Sequence, residues 1–362
     1  DNLITNNDLT TLNYIIGQEN AKRTCIIAAS GRHHILFIGP IGSSKTLLAH
    51  AISEISPLLS LYEQIELSKY HQDLKNQIES VFINSYTLNK KGHYDHDDNY
   101  FSFAMPFIEV MRNTTIPNLF GSKNKQGLLE QADMGFLLID EISEISSAVL
   151  NSLKTSLDYR QIKSPFRMNA SNYDIISPSR YTLIATSNIC PCGKDNKECK
   201  CKLSEKINFI KKIPESIINR IDILSRVSLT NFAKNNQYET NIKEDYKLSS
   251  SINQDLHDLT DYKRIVKDAT EIQKNRFRNE EYKTNSEIPL DKIEKFCTCT
   301  SNASKTLNSS IERLGLNGRD YIKVLKIART IADLDFKENI NEEHIFEALS
   351  YRTTSLRTEV SF

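Results

Sequence analysis

The chain has 362 residues, room for about two domains, and 39% of them are hydrophobic, enough for a buried core. Its 46 basic and 46 acidic side chains cancel, which excludes a general basic coat for nucleic acid while leaving room for a local patch. No apolar run approaches the roughly 20 residues needed to span a bilayer.

The sequence opens at Asp1 without an initiating Met, as a fragment or a trimmed chain does, and this polar opening does not resemble a signal peptide. Seven cysteines are present, and Cys190, Cys192, Cys199 and Cys201 fall within twelve residues. Such crowding reads as a metal or loop feature in a reducing compartment rather than a disulfide scaffold. A soluble, cytoplasmic protein is expected.

In chain order, 21–30 predicts a helix, 33–38 a short buried strand, 39–44 a turn and 46–55 a helix. Strand, glycine turn and helix open a βαβ unit with a parallel sheet. Further strands are predicted at 136–139, 181–186 and near 223–229, apolar enough to be covered on both faces. Ligands of open α/β sheets sit at the carboxyl ends of the strands, so Asp140, Glu141 and Asn188 become candidate functional residues. The stretch 230–263 is polar and lacks apolar periodicity. Beyond it, helices are predicted at 264–278, 290–296, 304–314, 321–333 and 341–351, the last with Asn341 as its cap and Glu342 and Glu343 in its first turn. The expected organisation is an α/β domain over 1–230, a polar linker or insert over 231–261 and an all-α lid over 262–355.

Gly39-Pro40-Ile41-Gly42-Ser43-Ser44-Lys45-Thr46 nearly satisfies the phosphate-binding pattern G-x-x-x-x-G-K-[ST]. In such a loop, backbone N–H groups and the helix N-terminus hold phosphate. Lys45 would bridge the β- and γ-phosphates, and Thr46 would bring its hydroxyl to Mg²⁺. Ser44 stands where the pattern has glycine, and a side chain there costs energy where φ is positive. Taken alone, the octapeptide is also compatible with a simple strand-to-helix turn. Phe136-Leu137-Leu138-Ile139-Asp140-Glu141 supplies the second signal. An aspartate at a buried strand's end can hold Mg²⁺, and the adjacent glutamate can polarise a water. Together the two motifs predict a nucleotide-binding fold with ATP and Mg²⁺ as ligands.

Cys190-Pro191-Cys192 and Cys199-Lys200-Cys201 form C-x-C, six residues, C-x-C. Four thiolates could hold one Zn²⁺. The more usual spacing is C-x₂-C, so free thiols or a redox-sensitive pair remain open. Cys297 and Cys299 read as core or surface thiols. Arg160, Lys163 and Arg167, with Phe166 among them, fall between predicted elements ahead of the 181–186 strand, where a basic loop with an aromatic could track a nucleic-acid backbone. A solvated loop is the alternative.

These residues resemble the ComM/YifB family of magnesium-chelatase-like AAA+ ATPases. The resemblance is carried by 16–23, the 39–46 loop, 135–141, Ala185-Thr186-Ser187-Asn188-Ile189-Cys190-Pro191-Cys192-Gly193, 217–222 and 311–334, and it runs from about residue 12 to 352. It implies an AAA+ P-loop NTPase sheet followed by a helical lid, assembled as a homo-oligomeric ring, a hexamer, without membrane attachment. It further implies a DNA motor of the kind that promotes branch migration in natural transformation. Carried over by position, Asn188 matches sensor 1, Arg220 the arginine finger and Arg319 sensor 2. Gly39, Gly42, Ser43, Ser44, Lys45 and Thr46 match the nucleotide loop. The family's N-terminal domain is not part of this sequence. Its Arg-Pro-Phe-Arg segment and paired histidines are replaced by Met105-Pro106-Phe107-Ile108-Glu109-Val110-Met111-Arg112. Two other functions fit the same motifs: a chelatase-type motor subunit acting on a partner protein, and a nucleotide-binding remnant without turnover.

Overall fold

The computed structural model describes residues 9–68, 104–122, 125–168, 174–195, 198–229 and 261–352. In chain order the principal elements are α1 (Glu19–Gly31), β1 (Ile35–Ile38), α2 (Lys45–Ile55), α3 (Leu61–Ser68), β2 (Phe107–Glu109), β3 (Phe136–Ile139), β4 (Gln161–Met168), β5 (Asp174–Pro178), β6 (Thr182–Ser187), β7 (Ile223–Arg226), α4 (Tyr262–Arg276), α5 (Ser301–Leu314), α6 (Gly318–Leu334) and α7 (Glu342–Ser350). The described residues fall into two compact units. The first draws on Asp1–Ser56, Asp140–Ser143 and Ile184–Phe362, the second on Pro57–Ile139 and Glu144–Leu183.

In the first unit β1 lies between β6 and β7, parallel to both, with Ile35 opposite Ile184 and Ile223. All four residues of β1, Ile35-Leu36-Phe37-Ile38, are buried. An unbroken apolar run therefore reads as strand here, because both of its faces are covered. Helix α1 is buried over most of its length and packs with α2. The C-terminal helices belong to the same unit. The Gln273 amide on α4 donates to Ser30 O (2.9 Å), and His33 Nε2 meets Thr330 Oγ1 of α6 at 2.7 Å. Gly31 is required for this approach, since a Cβ there would sit 2.5 Å from Thr330 Oγ1.

Four of the five predicted C-terminal helices appear close to where they are expected. Asn341 caps α7, its Oδ1 accepting from the His344 N–H (3.1 Å). The expected 290–296 helix is instead a 3-10 turn, Leu290–Lys292, followed by one α-turn, Ile293–Phe296. Cys297 is buried at its end, and half-buried Cys299 pairs with Ile340 in an isolated bridge, in keeping with structural thiols. The linker expected over 231–261 lies, apart from Asp261, outside the described residues; Asp261 caps α4 by accepting from Arg264 N–H (2.9 Å).

The second unit holds β2 and β3, parallel with Phe107 opposite Phe136, and the antiparallel ribbon β4–β5. Its buried Asp133 pairs with Arg180, which also reaches Glu66 (2.7 and 2.9 Å). The ribbon corrects one expectation. Arg160, Lys163 and Arg167 do not share a loop: Arg160 ends a helical turn at φ 53°, and Lys163 and Arg167 lie on β4. Pro165 masks the strand, because proline lacks the N–H of a ladder position and is confined to edges or irregular pairing. The register slips between Lys163 and Met168.

Candidate functional site

The turn from β1 into α2 is shaped by close backbone approach. Gly39 N–H donates to Ser187 O (3.2 Å), and Val227 N–H donates to Ile38 O (2.8 Å). A Cβ on Gly39 would lie 2.1 Å from Val227 O, so only glycine fits. Gly42 takes φ 79°, a region in which glycine alone is unstrained. Ser43 is buried, and its hydroxyl donates to Pro40 O (2.8 Å), closing the loop on itself.

Ser44 sits at φ 64°, ψ 21° as the residue preceding α2. The departure from the phosphate-loop pattern thus falls on a left-handed position, where an L side chain costs on the order of 1 kcal/mol. Ser44→Gly is expected to stabilise the protein by about 1 kcal/mol, read as a higher denaturant midpoint at unchanged slope.

Lys45 opens α2 and is buried. Its ammonium donates to Gly39 O (3.1 Å), Pro40 O (2.7 Å) and Asn188 Oδ1 (3.2 Å). Burial pushes its pKa down, and Asp140 and Glu141 pull it back up. Thr46, exposed, donates to Asp140 Oδ1 (3.2 Å). Asp140 and Glu141 follow β3, whose Phe136-Leu137-Leu138-Ile139 is wholly buried.

Sequence reasoning gave no role to Thr186. Its hydroxyl, on β6 and fully buried, donates to Asp140 Oδ1 (2.6 Å) and accepts from the Glu141 N–H (2.9 Å). Glu141 itself has φ 53°. One hydroxyl thus holds the aspartate's carboxylate and the glutamate's strained backbone together. The only sequence signal is a polar residue inside an apolar strand, two positions before Asn188.

Lys45, Thr46, Asp140, Glu141 and Asn188 are therefore brought together. The two arginines stand on other elements. Arg220 follows the short helix Glu215–Ile218 and donates to Ser216 O (2.5 Å). The next residues are clamped by the C-terminal region: Lys323 and Arg352 both donate to Ile221 O (2.6 and 2.7 Å), and Lys323 pairs with half-buried Asp222 (3.3 Å). Lys323 and the two neighbouring histidines hold the Asp222 carboxyl well below its ordinary range, against the opposing effect of burial. Arg319 is exposed in the first turn of α6, its N–H capped by Asn317 Oδ1 (2.9 Å).

The four loop cysteines converge. Cys190 Sγ lies 3.3 Å from Cys192 Sγ and 3.5 Å from Cys199 Sγ, and all four sulfurs lie within 4.8 Å of one another. A tetrahedral ion with Zn–S bonds of about 2.3 Å sets sulfurs roughly 3.8 Å apart, so the donor set fits Zn²⁺ in kind and spacing. All four are free thiols.

Residues 11–235 match the family described as "Magnesium chelatase, subunit ChlI", and residues 259–352 match "Magnesium chelatase, subunit ChlI C-terminal". The chain is similar to competence protein ComM of Haemophilus influenzae, 27% identical over 93% of this chain and 59% of that protein. It is also similar to the uncharacterized proteins YifB of Salmonella typhimurium (26%, over 93% of this chain and 59% of that protein) and of Escherichia coli (25%, 94% and 60%). The chain thus spans about three fifths of the length of these relatives. No helix among the described residues is long and apolar enough to cross a membrane.

Proposed function

The chain belongs to the magnesium chelatase subunit ChlI family of AAA+ proteins, and from that membership we propose that it is an ATP-hydrolysing motor that works as a hexameric ring in the cytoplasm and remodels DNA. The observation that carries the ATPase reading is the hydrogen-bonded group Lys45–Asn188 and Thr46–Asp140–Thr186–Glu141. In this reading 1–230 is the nucleotide-binding α/β domain and 262–355 the lid.

Bound ATP would supply the phosphoryl group and its Mg²⁺ would neutralise charge on it. The chain's own part follows from the atoms described. Loop N–H groups from Gly42 to Thr46 cradle phosphate, and the Lys45 ammonium exchanges the Gly39 and Pro40 carbonyls for phosphate oxygens. Thr46 Oγ1 and the Asp140 carboxylate would hold Mg²⁺. The Glu141 carboxylate takes the proton of the attacking water, which the Asn188 amide orients. Arg220 serves a neighbouring subunit's nucleotide and Arg319 its own, each adding positive charge where negative charge develops. Ser44 fits the loop at a cost of about 1 kcal/mol, too small to forbid nucleotide.

DNA as the substrate rests on the ComM/YifB resemblance and on basic residues of the β4–β5 ribbon, among them Lys163, which is exposed. Cys190, Cys192, Cys199 and Cys201 are assigned to a structural Zn²⁺.

The test is ATP turnover by the oligomeric protein beside Lys45→Ala, with and without branched DNA. Turnover that branched DNA stimulates and Lys45→Ala abolishes is the expected result. Turnover stimulated by a larger partner protein and indifferent to DNA would move the chain to the chelatase-type reading. Absence of turnover above the Lys45→Ala control would leave a nucleotide-binding remnant.

Thr186 gives a finer prediction. Thr186→Val keeps the shape and deletes the hydroxyl that orders Asp140 and Glu141. Turnover is expected to fall at least tenfold with nucleotide affinity little changed, and Thr186→Ser is expected to restore it, as read by steady-state kinetics and equilibrium binding.

A further inference from the structure

The cysteine loop and the phosphate loop touch. Ile41, between Gly39 and Gly42, donates its N–H to Gly193 O (2.7 Å). Gly193 closes the turn that starts at Cys190, its own N–H donating to Cys190 O (3.1 Å). It does so at φ 65°, and the Ile41 side chain fills the space beside it, with Cδ1 2.2 Å from where a Cβ would stand. The turn therefore lies flush against the phosphate loop, and no other residue type fits there without displacing Ile41. At the turn's other end, Cys190 is buried and follows Asn188 by two residues, while the Asn188 amide oxygen accepts from Lys45. The segment 188–193 thus meets the nucleotide loop at two places, one on its backbone and one on its lysine.

We infer that metal in the four-cysteine cluster braces the phosphate loop, so that Zn²⁺ binding and nucleotide binding favour one another. This inference rests on the Zn²⁺ assignment made above. The physical route is short. An ion bonded to Cys190 Sγ and Cys192 Sγ, and tied through Cys199 and Cys201 to the far side of the loop, fixes the backbone of 190–193. A fixed Gly193 carbonyl holds the Ile41 N–H, and a fixed Asn188 holds one partner of Lys45. Without the ion, the twelve-residue loop regains conformational freedom, and the two contacts must be ordered when nucleotide binds. The phosphate loop is thereby made sensitive to anything that strips or oxidises the thiols.

Thermodynamic reciprocity supplies the test, with the intact protein and no substitution in the nucleotide machinery. Zn²⁺ per chain is measured by elemental analysis. The Zn²⁺ dissociation constant is then measured by competition with a chromogenic chelator, with and without saturating ADP. The expected result is one Zn²⁺ per chain, bound on the order of tenfold more tightly with ADP, and ADP bound more tightly by the same factor in the metal-loaded protein. A second arm uses Gly193→Ala, which leaves all four cysteines in place but strains the turn against Ile41. It should keep its Zn²⁺ and lose the ADP effect. Zn²⁺ bound with the same affinity whether or not ADP is present would overturn the coupling while leaving the metal assignment standing. A protein with no Zn²⁺, or with the cysteines in disulfides after reducing purification and metal supplementation, would remove the assignment and the inference with it.

Discussion

Glu141→Gln is expected to leave nucleotide binding intact and to lower ATP turnover by about 10²- to 10⁴-fold, the range for losing a positioned general base. The substitution keeps size and hydrogen-bonding capacity but removes the carboxylate proposed to take the water's proton. Its backbone N–H still reaches Thr186 Oγ1, because that bond belongs to the main chain (2.9 Å). Asp140 keeps its hydrogen bonds to Thr46 and Thr186, so its proposed place beside the metal is undisturbed. Single-turnover kinetics beside equilibrium binding of a fluorescent ATP analogue separates the two effects. Turnover within threefold of wild type would remove Glu141 from the proposed mechanism.

Asp333→Ala is expected to destabilise the first unit by about 3–5 kcal/mol, the cost of leaving buried charge uncompensated. Asp333 on α6 is fully buried. It accepts from Arg276 (2.8 Å), from Arg329 on its own helix (3.0 Å) and from the Asn285 amide (2.8 Å). Arg329 is itself 1% exposed. Burial lowers its pKa, and Asp333 is the first group that raises it again. Removing the carboxylate leaves two guanidinium groups facing each other in low dielectric, with water excluded from one of them. Asp333→Asn keeps an acceptor and should fall between Asp333→Ala and wild type. Denaturant unfolding followed by circular dichroism reads the shift, and a midpoint for Asp333→Ala equal to wild type would refute the account.

Much of the candidate site was legible without coordinates, and the reason is local. A buried strand, a glycine turn and a helix start leave their mark within a dozen residues, so Gly39–Thr46 and Phe136–Glu141 announce themselves through composition and order alone. The helices after residue 260 were legible through their 3.6-residue periodicity, and Asn341 through cap chemistry. β4 was not, since Pro165 and interleaved polar residues hide a ribbon strand.

By itself the sequence determined the α/β class with its helical C-terminal region, and it singled out the candidate phosphate-loop and strand-end pair and the cysteine set that could hold a metal. These follow from residue type and short spacing, which act through backbone sterics and burial of adjacent side chains. Only the tertiary structure decided that Ser44 takes a left-handed backbone, that Thr186 links Asp140 to Glu141, that the Asp222–Lys323 pair ties α6 to the residues before β7, that Asp333 joins α4 to α6 through Arg276, and that Gly193 rests on Ile41. Apart from the Ser44 backbone, each depends on strand register or packing between residues far apart in the chain. Contacts of that kind are fixed by the close-packed interior as a whole, and no local pattern encodes them.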